Sequence, residues 1–184
     1  CNQLAPHVQQ SRVWNRVALH HLHYRALRAQ FPALGSQMVC NAIYAVSKMA
    51  RLIYQHPQSP FNPALKPGAA LPLLRFADSC PVYFDRHTLS IKPGQLSLFT
   101  MDGRMRFDLT LSADKLAIFE QAKLREIVLN ERADKVFELS FYLDPVDQTV
   151  LPEGDAPALP SLEGQAGAVP AGLIPEYVSV EVAP

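Results

Sequence analysis

Two regions of the chain differ in the period of their hydrophobic positions. Before residue 56, apolar residues recur about every three to four positions, as they do on one side of an α-helix. From Val82 to Leu143 they alternate with polar residues, as in half-buried strands. The pattern therefore predicts an α+β protein in which a helical part precedes a β part.

The helical part is predicted to be an antiparallel hairpin of two helices. The first covers residues 7–31 and ends before Pro32, because a residue that precedes proline avoids the α region. Its apolar stripe consists of Val13, Val17, Tyr24, Leu27 and Phe31. The second covers residues 34–56 and has a broad apolar face. Its opposite, polar face includes Gln37, Asn41, Tyr44, Lys48 and Arg51.

The β part is predicted to hold six short strands and one short helix. The strands are residues 82–86, 88–92, 95–101, 103–111, 124–130 and 136–143. Pro93-Gly94 and Asp102-Gly103 supply tight turns. Ser112 is suited to cap a helix over residues 113–122. Several antiparallel strands with one interposed helix predict a small β-barrel.

Proline marks the boundaries of these parts. Six prolines between His56 and Val82 exclude a long regular element there. The predicted organisation is a helical lobe (1–58), a linker (59–80), an antiparallel barrel (81–144) and an acidic Pro/Gly-rich tail (145–184). The tail is expected to be disordered or loosely packed, although the alternation in residues 177–182 fits a strand.

Charge is segregated along the chain, although the formal net charge is zero. Residues 1–77 contain eight Lys or Arg and no Asp or Glu. Residues 78–143 contain nine bases and ten acids, and residues 144–184 contain seven acids and no base. A basic segment without acids indicates either an anionic partner, with nucleic acid favoured, or an ordinary solvated surface.

The lengths of the apolar runs and the number of cysteines argue against a membrane-spanning protein and a disulfide-rich protein. The sequence contains no apolar run of the roughly 20 residues that a membrane-spanning helix needs, and no signal peptide is evident. Cys1, Cys40 and Cys80 are odd in number and widely spaced, which argues against a disulfide scaffold and a zinc site and fits a reducing cytoplasm. Because the chain begins with Cys1 rather than Met, we expect the native start to lie upstream.

Four segments of the chain resemble motifs of the TnpB family of transposon-encoded RNA-guided nucleases, in the same order as in that family. Phe84-Asp85-Arg86-His87-Thr88 resembles its "YD.RT" strand, and the residues from Ser97 to Arg104 resemble its "SL.T..GR" hairpin. The segments "LREIVLNERADKVFELSFYLD" and "HYRALRAQFPALGSQMVCNAIYAV" resemble a later hairpin and the recognition helices of the family. The resemblance covers about residues 12–144.

The resemblance implies a wedge-type, OB-like barrel with a helical recognition lobe that holds structured guide RNA. It also implies DNA as a second partner. The same residues fit either a fragment of a full-length nuclease or a protein whose nuclease subunit is encoded separately. The family's RuvC-type nuclease domain needs three separated carboxylates, and the segment Ser179–Ala183 offers only Glu181 in their place. The zinc-ribbon cysteines of the family are absent as well. We therefore expect a binding module that is not an enzyme and needs no cofactor.

The candidate contacts to nucleic acid are all basic side chains of the helical lobe and the hairpin. They are Arg12, Arg16, Arg25, Arg28, Lys48, Arg51, Arg86, Arg104 and Arg106. Arginine suits phosphate because its planar fork bonds two oxygens at once, but each position also fits a solvated surface. His20 and His23 share a helix face without a nearby carboxylate, so no metal site is expected there.

Two other functions remain open at this stage. The chain fits a protein-interaction adaptor that uses the acidic tail or the barrel surface. It also fits an autoinhibited binder, in which the acidic tail covers the basic lobe and competes with RNA.

Overall fold

A computed structural model describes residues 1–85, 87–144 and 173–182. The fold is α+β, as predicted. The helices are α1 (Ala5–Ser11), α2 (Arg16–Gln30), α3 (Ser36–Gln55) and α4 (Ala113–Gln121). The strands are β1 (Leu73–Phe76), β2 (Val82–Phe84), β3 (Leu89–Lys92), β4 (Gly94–Thr100), β5 (Gly103–Leu109), β6 (Lys123–Glu131), β7 (Phe137–Asp144) and β8 (Val178–Glu181). None of the described helices combines the length and the apolar character needed to cross a membrane.

The first predicted helix is interrupted, which corrects the prediction of one helix over residues 7–31. Arg12 ends α1 in the left-handed region at φ 55°. Asn15 then starts α2, because its side chain accepts hydrogen bonds from the backbone N–H groups of Val17 and Ala18. Val17, placed on the apolar stripe by the pattern, is 62% exposed.

Helices α2 and α3 form the predicted antiparallel hairpin. The Ser47 hydroxyl donates to the Trp14 carbonyl just before α2, whereas Arg28 near the end of α2 donates to the Leu34 carbonyl just before α3. The predicted apolar face of α3 is confirmed over most of its length. Its buried hydrophobic members are Val39, Ile43, Val46, Met49, Ala50 and Ile53.

The main core joins the helices to two strands that are far apart in sequence. Strand β1 lies inside the predicted linker and pairs antiparallel with β8, from Leu73 opposite Glu181 to Phe76 opposite Val178. Val178 is buried in the same cluster as Leu74 and Ile53. Residues 173–182 therefore contribute Val178 to the core, with Ile174, Tyr177 and Val180 packed against it. This differs from the expectation of a loosely packed tail, and the predicted strand near the C-terminus is confirmed. The rest of the predicted tail lies outside the described residues.

The β part forms two three-stranded antiparallel sheets, β2–β6–β7 and β3–β4–β5. A smaller apolar cluster, built on Phe84, Leu89 and Ile127, fills the space between them. No sheet of the described residues closes into a barrel, so the barrel prediction is corrected. Closure would require every edge strand to be paired, and β5 and β7 remain edge strands of different sheets.

A tight turn after β2 explains why neighbouring strands enter different sheets. The Asp85 carboxylate accepts hydrogen bonds from the backbone N–H groups of His87 and Thr88, each at 3.0 Å, and from the Thr88 hydroxyl at 2.9 Å. This Asx-type turn redirects the chain, so β3 pairs with β4 instead of β2. The turns predicted at Gly94 and Gly103 are confirmed, and both glycines have positive φ.

Strand β6 contains a β-bulge that resets its alternation. Leu124 lies opposite Leu143, whereas Glu126 lies opposite Tyr142, so Arg125 is the extra residue. Leu124 and Ile127 consequently both pack in the cluster between the sheets. Glu126 points to the other side of the sheet, towards α3.

Candidate nucleic-acid interface

Most cations of residues 1–77 lack an acidic partner among the residues that the structure describes. Of the eight Lys and Arg residues before Asp78, Lys48 pairs with Glu126 and Arg75 pairs with Glu181. The other six form no ion pair with any described residue, and they are Arg12, Arg16, Arg25, Arg28, Arg51 and Lys66. An excess of cations without compensating carboxylates attracts polyanions.

Arg12 and Arg28 have a structural role beside any binding role. Arg12 Nη2 donates to the Ala69 carbonyl at 2.7 Å, and Arg28 donates to the Leu34 carbonyl. Arg12 thereby ties the end of α1 to the segment before β1. A guanidinium has five N–H donors, so each side chain retains donors for a phosphate.

Arg25 and Arg51 are exposed on α2 and α3. Within the described ranges the side chain of neither residue forms a hydrogen bond or an ion pair with another residue. These two guanidinium groups are therefore the most available of the predicted contacts in the helical part.

The predicted polar face of α3 is mostly an internal interface with the β2–β6–β7 sheet. The Asn41 amide donates to the Tyr83 carbonyl at 2.9 Å, and the Gln37 amide donates to the Asp85 carboxylate. Tyr44 lies two helical turns after Gln37, and its hydroxyl donates to Glu126 Oε1 at 2.7 Å. These polar contacts, rather than apolar packing alone, dock the helix on the sheet.

Lys48 belongs to a cation–aromatic cluster at the centre of this interface. Its Nζ lies 2.9 Å from both carboxylate oxygens of Glu126 and 4.9 Å from the ring centre of Tyr83. Arg16, at the start of α2, lies over the Tyr44 ring, with its guanidinium carbon 5.2 Å from the ring centre. The Lys48 ammonium already has a carboxylate partner, whereas Arg16 is exposed. Arg16 is therefore the member of the cluster that can reach a ligand.

The hydroxyl groups of the two tyrosines of the cluster remain protonated at neutral pH. Burial, and then the hydrogen bond to Glu126, raises the pKa of the Tyr44 hydroxyl well above its usual value. Burial also raises the pKa of Tyr83, with smaller contributions from Tyr177 and Glu126. A neutral Tyr44 next to the Lys48–Glu126 pair keeps the interface close to electrically neutral.

The hairpin arginines of the β part have different environments. Arg104 Nη1 lies 3.2 Å from the Ser97 hydroxyl oxygen, and Arg104 Nη2 donates to the His87 carbonyl at 3.1 Å. The hairpin is thereby fastened to the Asp85 turn. Arg106, on the same strand face, is exposed and has no ion-pair partner in the described part of the chain. Arg86 lies outside the described residues.

The bulge in β6 borders an open cleft that sequence reasoning did not anticipate. The cleft has a volume of about 430 Å³ and lies between the end of β2 and the first half of β6. Its lining includes the cationic residues Lys123 and Arg125 and the apolar residues Phe84 and Ile127. Arg125 Nη1 also contacts Asp144 Oδ1 at 3.2 Å. The Lys-x-Arg spacing of these two cations at the start of a strand was the available sequence signal.

The histidines form ring stacks in place of a shared metal site. His20 stacks on Tyr24 with ring centres 4.6 Å apart, and His23 stacks on His7 at 4.8 Å. Burial, and then the neighbouring His7, lowers the pKa of His23. In residues 1–85, 87–144 and 173–182, no three His, Cys, Asp or Glu side chains gather closely enough to hold a metal ion.

Glu181, the carboxylate that was compared with a nuclease position, has a partner in the described fold. Its Oε1 lies 3.0 Å from Arg75 Nε across the β1–β8 pair. Both side chains are substantially exposed, so the ion pair adds little to stability. This contact accounts for Glu181 as a surface residue of a two-stranded sheet.

Comparison of the chain with protein-family models, with curated proteins and with solved structures finds no match. The resemblance to TnpB proteins therefore stays a prediction from the sequence motifs.

Proposed function

We propose that the protein is a nucleic-acid-binding module, without nuclease activity of its own, that holds structured RNA. The observation that carries the proposal is the segment of residues 1–77, which has eight bases and no acid. Six of these cations have no carboxylate partner among the described residues. Phosphate groups are the partners that a cation-rich surface of this kind favours.

The TnpB-like motifs support RNA as the form of nucleic acid. The Asp85 turn and the Arg104 hairpin, which carry two of the motifs, are in direct contact through the bond from Arg104 to the His87 carbonyl. Within the proposal, a wedge-type role for the two sheets and a recognition role for the helices follow from the motifs. DNA and a separately encoded nuclease subunit are the further partners that the resemblance implies.

A salt-dependent binding titration tests the proposal. Wild-type protein should retain a structured RNA on a filter at low salt, and its affinity should fall by orders of magnitude at moderate salt, because each phosphate contact releases counterions. The R25A/R51A variant should bind more weakly and show a salt slope reduced by about two units. R132A is the matched control, because Arg132 is already paired with Asp134 and Glu138.

Two results would contradict the proposal. Wild-type protein that retains no RNA at low salt would leave the adaptor function as the better explanation. Efficient cutting of RNA or DNA in Mg²⁺ by highly purified protein would contradict the absence of nuclease activity.

Autoinhibition by the acidic segment is a second, compatible proposal, favoured by one observation. Residues 173–182 dock on the helical core, and Glu181 pairs with Arg75 there. The acidic segment that precedes them is therefore tethered to the basic part, which raises its effective concentration. Deleting the whole tail would remove β8 from the core, so charge neutralisation is the cleaner test.

The variant D147N/E153Q/D155N/E163Q keeps β8 and removes four negative charges. If the segment competes with RNA, this variant should bind RNA more tightly than the wild type at low salt, and the difference should shrink with added salt. Equal affinities at low salt would exclude competition by these four carboxylates.

A further inference from the structure

Strand β5 leaves one edge of the β3–β4–β5 sheet unpaired among the described residues. Its pairing with β4 is regular from Gly103 to Leu109, without a bulge that would twist the edge away. The strand contains neither proline nor lysine, two residues with which proteins commonly protect edges. Its backbone N–H and C=O groups are therefore suited to pairing with another strand.

The apolar face of β5 is also uncovered. Met105 is 48% exposed and Phe107 is 42% exposed. In the register of the sheet they lie beside Leu98 and Leu96, which pack in the cluster between the sheets. An additional strand at the β5 edge would extend this apolar surface and cover part of both side chains.

The sequence of β5 is self-complementary when two copies of the strand pair antiparallel. In an antiparallel pair of two β5 strands with a two-fold axis at Phe107, each Arg106 lies opposite an Asp108. Met105 then lies opposite Leu109, and the two Phe107 rings meet at the axis. Opposite charges and aromatic or apolar side chains are favourable cross-strand pairs.

Neighbouring two-fold registers are worse because they bring like charges together. An axis at Arg106 places this arginine opposite itself, and an axis at Asp108 does the same for the aspartate. An axis at Met105 places Arg104 opposite Arg106. The axis at Phe107 is thus distinguished by charge as well as by packing.

Arg106 and Asp108 are available for such pairs. Neither forms an ion pair with any residue of the described ranges, and both are exposed. A two-fold interface uses the same surface of both copies, so each complementary pair occurs twice.

We propose that β5 is a homodimerisation edge, at which two copies of this chain pair antiparallel about Phe107 and join their β3–β4–β5 sheets into one six-stranded sheet. The dimer places Arg104 and Arg106 of both copies on one continuous sheet face. This proposal is independent of RNA binding, because it follows from the register and the sequence of one strand.

Charge-swap variants of the full chain provide the test, with sedimentation equilibrium as the measurement. The wild type should show a reversible monomer–dimer equilibrium. In R106D and in D108R, two like-charge pairs replace two opposite-charge pairs, so the dissociation constant of the dimer should rise about tenfold or more. In R106D/D108R the opposite charges are restored with exchanged positions, and dimerisation should return.

The double variant also controls for folding, because it carries both substitutions. Circular dichroism should show the same secondary structure for all four proteins. A wild type that stays monomeric up to about a hundred micromolar would overturn the proposal, and so would a dimer that responds equally to the single and the double variants.

A cross-linking experiment locates the axis. In F107C, mild oxidation should join the two chains through position 107, because residues opposite each other in an antiparallel pair have Cβ atoms about 5 Å apart. The cross-linked peptide is identified by mass spectrometry against the three native cysteines. Dimers that cross-link only through other cysteines would place the interface elsewhere and overturn the proposal.

Discussion

The helical part, together with β1 and β8, and the two-sheet part have very different cores. Among the described residues, fifteen buried residues form one cluster in the first, whereas the cluster between the two sheets contains three. A further cluster of three joins Ala45 of α3 to Tyr83 and Val128 of the sheet. The two-sheet part instead exposes large apolar side chains such as Met105, Phe107 and Phe137. The comparison teaches that the helical part holds most of the stabilising burial, and that the sheets leave surfaces which suit partners.

The two regions also differ in the balance of basic and acidic residues. Residues 1–77 contain eight bases and no acid, whereas residues 78–143 contain nine bases and ten acids. The stable part is therefore the one with unbalanced charge. A rigid, basic surface can bind a polyanion without a large ordering cost.

The largest expected effect concerns the strand that closes the helical core. Val178 is 5% exposed in β8, whereas Val182, just after the strand, is 61% exposed. V178D buries an unpaired carboxylate and should lower the free energy of unfolding by about 3 kcal/mol or more. V182D is the matched control and should change it by less than about 0.5 kcal/mol, as measured by chemical denaturation. Similar losses for the two variants would show that β8 contributes little to the core.

The next effect compares the two cores directly. Ile53 is fully buried among the helices, whereas Leu98 is half-buried between the sheets. I53A should lower the free energy of unfolding by about 3–4 kcal/mol, because the substitution leaves a cavity in a tightly packed site. L98A should lower it by about 1–2 kcal/mol. Equal losses in urea denaturation would contradict the contrast between the cores.

A smaller effect tests the polar joint between the two parts. K48A leaves the Glu126 carboxylate without its cation, although the Tyr44 hydroxyl remains bound to it. We expect a loss of about 1–2 kcal/mol in the free energy of unfolding. R51A, one turn further along α3 and exposed, should change stability by less than about 0.5 kcal/mol. A K48A protein as stable as R51A would show that the ion pair does not help to dock the sheet.

The smallest effect is a pH dependence in the helical core. Burial raises the pKa of Tyr54, whose hydroxyl donates to the Pro72 carbonyl at 2.6 Å. Because the pKa of Tyr54 is higher in the folded than in the unfolded state, this contribution to stability is complete below about pH 9 and is lost as the pH rises through about 10 and beyond. At pH 10 the loss is about 0.4 kcal/mol, since half of the unfolded tyrosine is ionised. Denaturation of the wild type and Y54F across this range should show a flatter pH dependence for Y54F, and parallel curves would contradict it.

Much of the local structure follows from the sequence pattern. The apolar face of α3 and the alternation in β4, β5 and β7 predicted these elements to within a few residues. The turns at Gly94 and Gly103 followed from residues that tolerate positive φ. The excess of cations in residues 1–77 is likewise evident from the sequence alone. These features depend on interactions between near neighbours in the chain.

Several features of the candidate site required the tertiary structure. The polar face of α3 was indistinguishable from a solvated face until Gln37, Asn41, Tyr44 and Lys48 were found against the sheet. The basic residues of α1 to α3 and their ends looked equivalent in sequence. Contacts with Ala69, Leu34 and Glu126 separate Arg12, Arg28 and Lys48 from the freely exposed Arg25 and Arg51.

The sequence by itself determined the α+β class, the helix and strand periods, the hairpin turns and the segregation of charge. Only the tertiary structure decided that the first helix is interrupted, that the sheets stay open, and that β8 completes the helical core. It also decided that the bulge at Arg125 turns Glu126 towards Lys48. The physical reason is sequence distance. The spacing of apolar residues shows which side of a helix or strand is apolar. The contacts of each side chain, in contrast, depend on how distant segments pack, and Arg75 and Glu181 are in contact although about a hundred residues separate them.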